Sequence, residues 1–93
     1  MILSFADKPT EELWKGNKPP ELPPGILKTA HRKLSQIDQS TTLDDLRIPP
    51  GNRLEPLKRK RAGQHSIRVN DQYRVCFRWV GANAHDVEIT DYH

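Results

Sequence analysis

From Ile26 onward apolar residues return at helical spacing. Ile26, Ala30, Leu34 and Ile37 fall on one stripe, while Lys28, Arg32 and Gln36 lie away from it. The stripe predicts an amphipathic helix running to about Gln39. A shorter helix precedes it: Asp7 or Thr10 can cap it, Pro9 suits its first turn, Glu11 and Glu12 favour its positive end, and Gly16 stops it. Between the two helices, residues 17–25 include Pro19, Pro20, Pro23 and Pro24 and read as a loop. Met1–Phe5 alternates weakly and predicts a short first strand. After the long helix, Thr41 or Thr42 can cap a single turn carrying Leu43 and Leu46, which ends before Pro49-Pro50-Gly51.

Beyond Gly51 the helical period gives way to two-residue alternation. Arg53–Leu57 predicts a short strand, Lys58–Ala62 a basic loop, Gln64–Val69 and Tyr73–Val80 a hairpin, and Val87–Thr90 a last strand. The register of the hairpin follows from the pattern. A two-residue loop would place Ile67 on the same face as Arg74. The three-residue loop Asn70-Asp71-Gln72 pairs Val69 with Tyr73 and Ile67 with Val75, and it gathers Ile67, Val69, Tyr73, Val75, Phe77 and Trp79 on one face. Ser66, Arg68, Arg74, Cys76 and Arg78 then occupy the other. The fold class is α+β: one domain over residues 1–93, an antiparallel-rich sheet with two N-terminal helices packed on one face and an open, arginine-lined face opposite.

Composition narrows the function. Only 34% of the 93 residues are apolar and eight are proline, so most apolar side chains must pack. Cys76 is the sole cysteine, which excludes an intramolecular disulfide and suits a reducing cytosol. One cysteine and four scattered histidines give no zinc spacing, so neither a metal nor another cofactor is expected. The first residues lack the basic flank and length of a signal peptide, and no apolar run nears the roughly 20 residues of a membrane span. A soluble cytoplasmic protein is the expectation.

The charge is unevenly placed. Residues 1–50 carry seven basic and seven acidic side chains, whereas residues 51–93 carry eight and five, so the second half holds the whole net charge of +3. Within it, Arg53, Lys58, Arg59, Lys60 and Arg61 cluster around one acid, Glu55. Such a run is either a solvated loop or a footprint for a polyanion. The chosen register also sets Arg68 directly opposite Arg74, and like charges across strands repel. A bound anion would neutralise them, or Glu88 or Asp91 of the last strand. On this reading, removing Arg74 relieves repulsion and leaves stability unchanged or slightly raised.

An arginine-lined face suits a phosphate backbone, and cleavage of RNA by its own 2′-hydroxyl asks little more of a protein. A base takes the hydroxyl proton, cations hold the charged phosphorane, and an acid protonates the leaving 5′-oxygen. Arg74, Arg68 and Lys58 are candidate phosphate donors, with Arg53, Arg59, Lys60, Arg61 and Arg78 as further RNA contacts. Asp91, Tyr92 and His93 bring together a carboxylate, a phenol and an imidazole. Each has a plainer alternative: His93 as a solvated terminal histidine, Asp91 turned toward the helices by strand parity. Glu55 reads as a partner for nearby cations rather than a base, His65 as a packed structural histidine, His31 and His85 as surface residues, and Cys76 as a small buried residue.

The segments Gly51–Lys58, Gln64–Phe77 and Asp91–His93, together with Met1–Phe5 and Arg32–Asp38, resemble the HigB toxins (host inhibition of growth, or plasmid maintenance system killer proteins) of the RelE superfamily. The resemblance covers nearly the whole chain. It implies a RelE-type fold, ribosome-dependent cleavage of mRNA in the decoding site, and a helix-turn-helix antitoxin as partner, through which alone the toxin meets DNA. It also implies that Lys58, Arg74, Asp91, Tyr92 and His93 serve RNA binding or cleavage. Some members carry a histidine where this chain has Glu55. Two rivals stand beside this reading. A gyrase-inhibiting toxin of the same fold would not need Arg74, Tyr92 and His93 together. A non-catalytic RNA- or ribosome-binding module would be expected to stack bases on exposed aromatic rings, yet the hairpin aromatics are assigned to the helix side.

Overall fold

The computed structural model describes residues 1–91. Helix α1 spans Lys8–Trp14, with Asp7 at its N-cap accepting a hydrogen bond from the Thr10 amide at 3.0 Å. Gly16 follows the helix at φ +95°, a conformation that costs a residue without Cβ little. Helix α2 spans Leu27–Gln39 and is entered through a 3₁₀ turn, Pro24–Ile26, so its stripe is in place: Ile26, Ala30, Leu34 and Ile37 are all buried. Lys33, which belongs to no apolar stripe, is buried as well. Thr42 caps the 3₁₀ turn Leu43–Arg47, and Asp45 closes the reciprocal box by accepting from the Thr42 amide at 3.1 Å.

Four strands form one sheet in the order β1 (Glu55–Pro56), β2 (His65–Arg68), β3 (Tyr73–Val80) and β4 (Asn83–Asp91), each pair antiparallel. The hairpin has the register the pattern selects, with Ile67 opposite Val75 and Arg68 opposite Arg74. Asn70 fixes its turn by accepting from the amides of Gln72 (2.9 Å) and Tyr73 (2.7 Å).

Strand β4 begins four residues earlier than expected. Cys76 pairs with Glu88 but Arg78 pairs with His85, so β4 carries one extra residue there, and Asp86 takes a left-handed φ of +53°. This bulge turns Ala84, Val87 and Ile89 to one face although their spacing is not alternate, and all three are buried. The same break hid the strand's first half from an alternation argument, and it places His85 in a strand rather than a surface loop. Met1–Phe5 does not form the full strand expected. It runs parallel to β4 as two isolated bridges, Ile2 with Ala84 and Phe5 with Val87, because the bulge lies between them; the Ser4 hydroxyl accepts from the Asp86 amide at 2.9 Å.

The core lies between the helices and one face of the sheet, where Leu13, Leu34, Ile37, Ile67, Val75, Phe77 and Val87 are buried together. Each such side chain contributes roughly 1.5–3 kcal/mol on burial. Phe77 meets Trp79 edge to face at 6.4 Å, and Tyr73 and Trp79 both pack against the core that holds Phe77, so the three hairpin rings sit on the helix side. His31, on the partly exposed side of α2, stacks on Trp14 at 5.5 Å.

Candidate active site

The second face of the sheet is not the open surface expected. Ser66 and Cys76 at its centre are wholly buried, and Leu57 beside them is nearly so. Long polar side chains fold down over them. Strand β1 sets Glu55 opposite Ser66, so its carboxylate reaches the Arg74 guanidinium projecting from β3.

Arg74 is held on several sides. Its Nε donates to Ser66 Oγ at 2.7 Å, and its Nη2 donates to the Arg53 carbonyl at 2.6 Å and the Ser66 carbonyl at 3.4 Å. Glu55 Oε1 stands 3.5 Å from the same Nη2, leaving the side chain 12% exposed. Arg53 itself takes a left-handed backbone at φ +46°, which turns its carbonyl toward Arg74. The sequence signalled Glu55 as a cation partner but gave no sign of Ser66 or the Arg53 carbonyl, since those contacts require β1 to be laid beside β2.

The repulsion between Arg68 and Arg74 is answered locally, not by Glu88 or Asp91. Arg68 pairs with Asp71 of its own turn, and Arg74 with Glu55. Glu88 instead binds Arg61 at 3.1 Å, and Asp91 accepts from Gln72 Nε2 at 2.8 Å. Arg78 lies 3.6 Å from Asp86 and against Gly63, where an added Cβ would sit 2.9 Å from its Nη1.

The remaining cationic candidates follow β1 in the chain. Lys58, Arg59 and Lys60 are exposed on the 3₁₀ turn Arg59–Arg61, with Arg59 left-handed at φ +58°. Asp91, opposite Tyr73 at the end of β4, shares the helix-side parity of Val87 and Ile89, as alternation predicts, although it is itself exposed. Tyr92 and His93 lie outside the described residues. Cys76 lies beneath the cations, and burial pushes its thiol above the usual range despite Arg61 nearby, which makes it a poor nucleophile. His65 is half-buried with Nδ1 lacking a partner among the described residues, in keeping with a packed ring.

Comparison with known proteins places this geometry. The family model for HigB-like toxins, described as the RelE-like toxin of the type II toxin-antitoxin system HigB, matches residues 3–93. The chain belongs to the HigB-like toxin family. Among HigB-like relatives, Toxin HigB-1 of Vibrio cholerae is 46% identical over 81 residues, covering 86% of this chain and 85% of that toxin. Endoribonuclease HigB of Proteus vulgaris is 29% identical over the full length of both. In fold, the HigB-like chain matches a chain of the YoeB-YefM complex from Staphylococcus aureus with a TM-score of 0.62 at 17% identity, covering 100% of this chain and 98% of that one. As a type II toxin it has a cognate antitoxin for partner. Among the described residues no helix is long and apolar enough to cross a membrane, and no cluster of three or more metal-ligating side chains occurs.

Proposed function

We propose that this HigB-like toxin is a ribosome-dependent endoribonuclease, acting in the cytoplasm as one domain and neutralised by a helix-turn-helix antitoxin. The observation that carries the proposal is the anchoring of Arg74: a guanidinium fixed through Ser66 and the Arg53 carbonyl, in a chain whose turn after β1 exposes Lys58, Arg59 and Lys60. A preorganised cation costs no reorganisation when charge develops on a phosphorus centre, and one such donor is worth about 10²–10³ in rate. The name of the Proteus vulgaris relative, an endoribonuclease, supports the same reading.

In this mechanism the ribose 2′-oxygen forms a bond to phosphorus as a base takes its proton, and the bond to the 5′-oxygen breaks as an acid protonates it, leaving a cyclic phosphate and a 5′-hydroxyl. Arg74 and Lys58 neutralise the phosphorane. Asp91, Tyr92 and His93 supply the proton-transfer groups, His93 foremost because an imidazole titrates near neutrality. Arg53, Arg59, Lys60, Arg61, Arg68 and Arg78 hold the RNA backbone. Glu55, paired with Arg74, tunes that guanidinium rather than serving as base.

The test is removal of Tyr92 and His93. The shortened toxin should fold by circular dichroism, bind its antitoxin and associate with ribosomes, yet cut ribosome-bound message at least about 10²-fold more slowly, the low end for one positioned proton-transfer group. Equal primer-extension products from the shortened and full-length proteins would refute the terminal mechanism.

A further inference from the structure

Lys33 is 7% exposed on α2, and its Nζ donates to Asn52 Oδ1 at 2.6 Å. Burial, and after it the cations Arg32 and Arg68, push the Lys33 ammonium below its usual range. A buried ammonium with no carboxylate partner among the described residues is a cost to folding, so its presence calls for another role.

Asn52 shows what that role is. It is wholly buried, and its Nδ2 donates to Gln36 Oε1 at 3.0 Å, the Leu46 carbonyl at 3.2 Å and the Ile48 carbonyl at 3.5 Å. With its amide end committed to three acceptors, its oxygen must face a donor, and Lys33 is that donor. The next residue is Arg53, left-handed at φ +46°, whose carbonyl receives Arg74 Nη2. The carbonyl that aims the guanidinium therefore belongs to the residue directly after the one Lys33 fixes.

We infer that Lys33 and Asn52 are positioning residues for Arg74: the buried pair sets the Arg53 peptide, and that peptide aims the guanidinium at the scissile phosphate. This rests on the proposed phosphate role of Arg74, so Arg74→Ala is the control. Wild-type cleavage by folded Arg74→Ala would remove the underlying reading itself.

The test of the pair is Lys33→Met and, separately, Asn52→Asp, assayed on ribosome-bound message. Asn52→Asp keeps the acceptor toward Lys33 but removes the donor to Gln36, Leu46 and Ile48. Each variant that folds should lose about 10- to 100-fold in kcat, the scale of a misplaced catalytic group, with ribosome affinity within about twofold of wild type. In an Arg74→Lys background Lys33→Met should add little further loss, because it acts through the native guanidinium geometry. Wild-type kcat in a folded variant, a loss confined to affinity, or an undiminished loss in the Arg74→Lys background would each overturn the inference. Failure of both variants to fold would overturn it too, by making the pair a structural support alone.

Discussion

Arg74 is at once the best-anchored cation of the polar face and the residue whose removal, by strand parity, is expected to abolish toxicity yet leave stability unchanged or slightly raised. Its contacts reverse the expectation for stability. Arg74→Ala strips the wholly buried Ser66 hydroxyl of its partner and leaves Glu55 without its nearest cation. An orphaned buried polar group costs about 1–3 kcal/mol, more than the relief of a repulsion that Asp71 and Glu55 already offset. The variant should therefore have a lower urea midpoint than wild type; an unchanged or raised midpoint would mean that the Ser66 bond adds nothing. Stability and activity then fall together, so cleavage by this variant has to be measured well below its unfolding transition.

Helix ends and strand edges show how short elements are held in a thin core. Thr10 on α1 is wholly buried and accepts from the Ile89 amide of β4 at 2.9 Å, joining helix to sheet through one hydroxyl. Thr10→Val keeps the shape and orphans that amide, so it should cost about 1–3 kcal/mol by chemical denaturation. Asp45 does the same for the Leu43–Arg47 turn. Hydrogen bonds from the Thr42 and Thr41 amides hold its carboxyl below the usual range. A lowered folded-state value means stability that is present above the ordinary carboxylate value of about 3.9 and lost as pH falls through the folded one. Asp45→Asn should accordingly be less stable than wild type at pH 7, with the gap closing below about pH 4. A gap independent of pH would assign the loss to shape rather than charge. At the sheet edge, Asp38 of α2 accepts the outward amide of Ile2 at 2.9 Å, so the N-terminal segment is not left open for pairing with another chain.

Across the whole molecule, charge sorts into two kinds. Arg61, Arg68, Arg74 and Arg78 each have an acidic partner, whereas Lys58, Arg59 and Lys60 stand exposed on one turn. The paired arginines meet RNA with part of their charge already offset, so the exposed turn should contribute most to displacing counterions from RNA. Replacing Lys58, Arg59 and Lys60 by glutamine should lower the slope of log affinity for single-stranded RNA against log salt by up to about 2, since each contact to a single strand contributes about 0.7. An unchanged slope in a salt titration would leave the turn merely solvated.

What the chain alone determined is what depends on spacing. The α2 stripe, the hairpin register and the capped starts of α1 and the Leu43–Arg47 turn, each with two cap candidates between which the structure chose Asp7 and Thr42, follow from periods of 3.6 and 2 and from side chains that bond their own neighbours. The candidate cations were legible too, because charge runs and strand parity are local properties. Tertiary structure decided the rest. The bulge at Asp86 reset parity in β4 and brought Ala84 onto the core face, which no alternation rule reveals. Glu55, Ser66 and the Arg53 carbonyl meet Arg74, and Lys33 meets Asn52, only once β1 and the turn before it lie against β2 and α2. Those contacts join residues 8 to 21 positions apart with no common period, so they exist as consequences of packing and not as a pattern in the sequence.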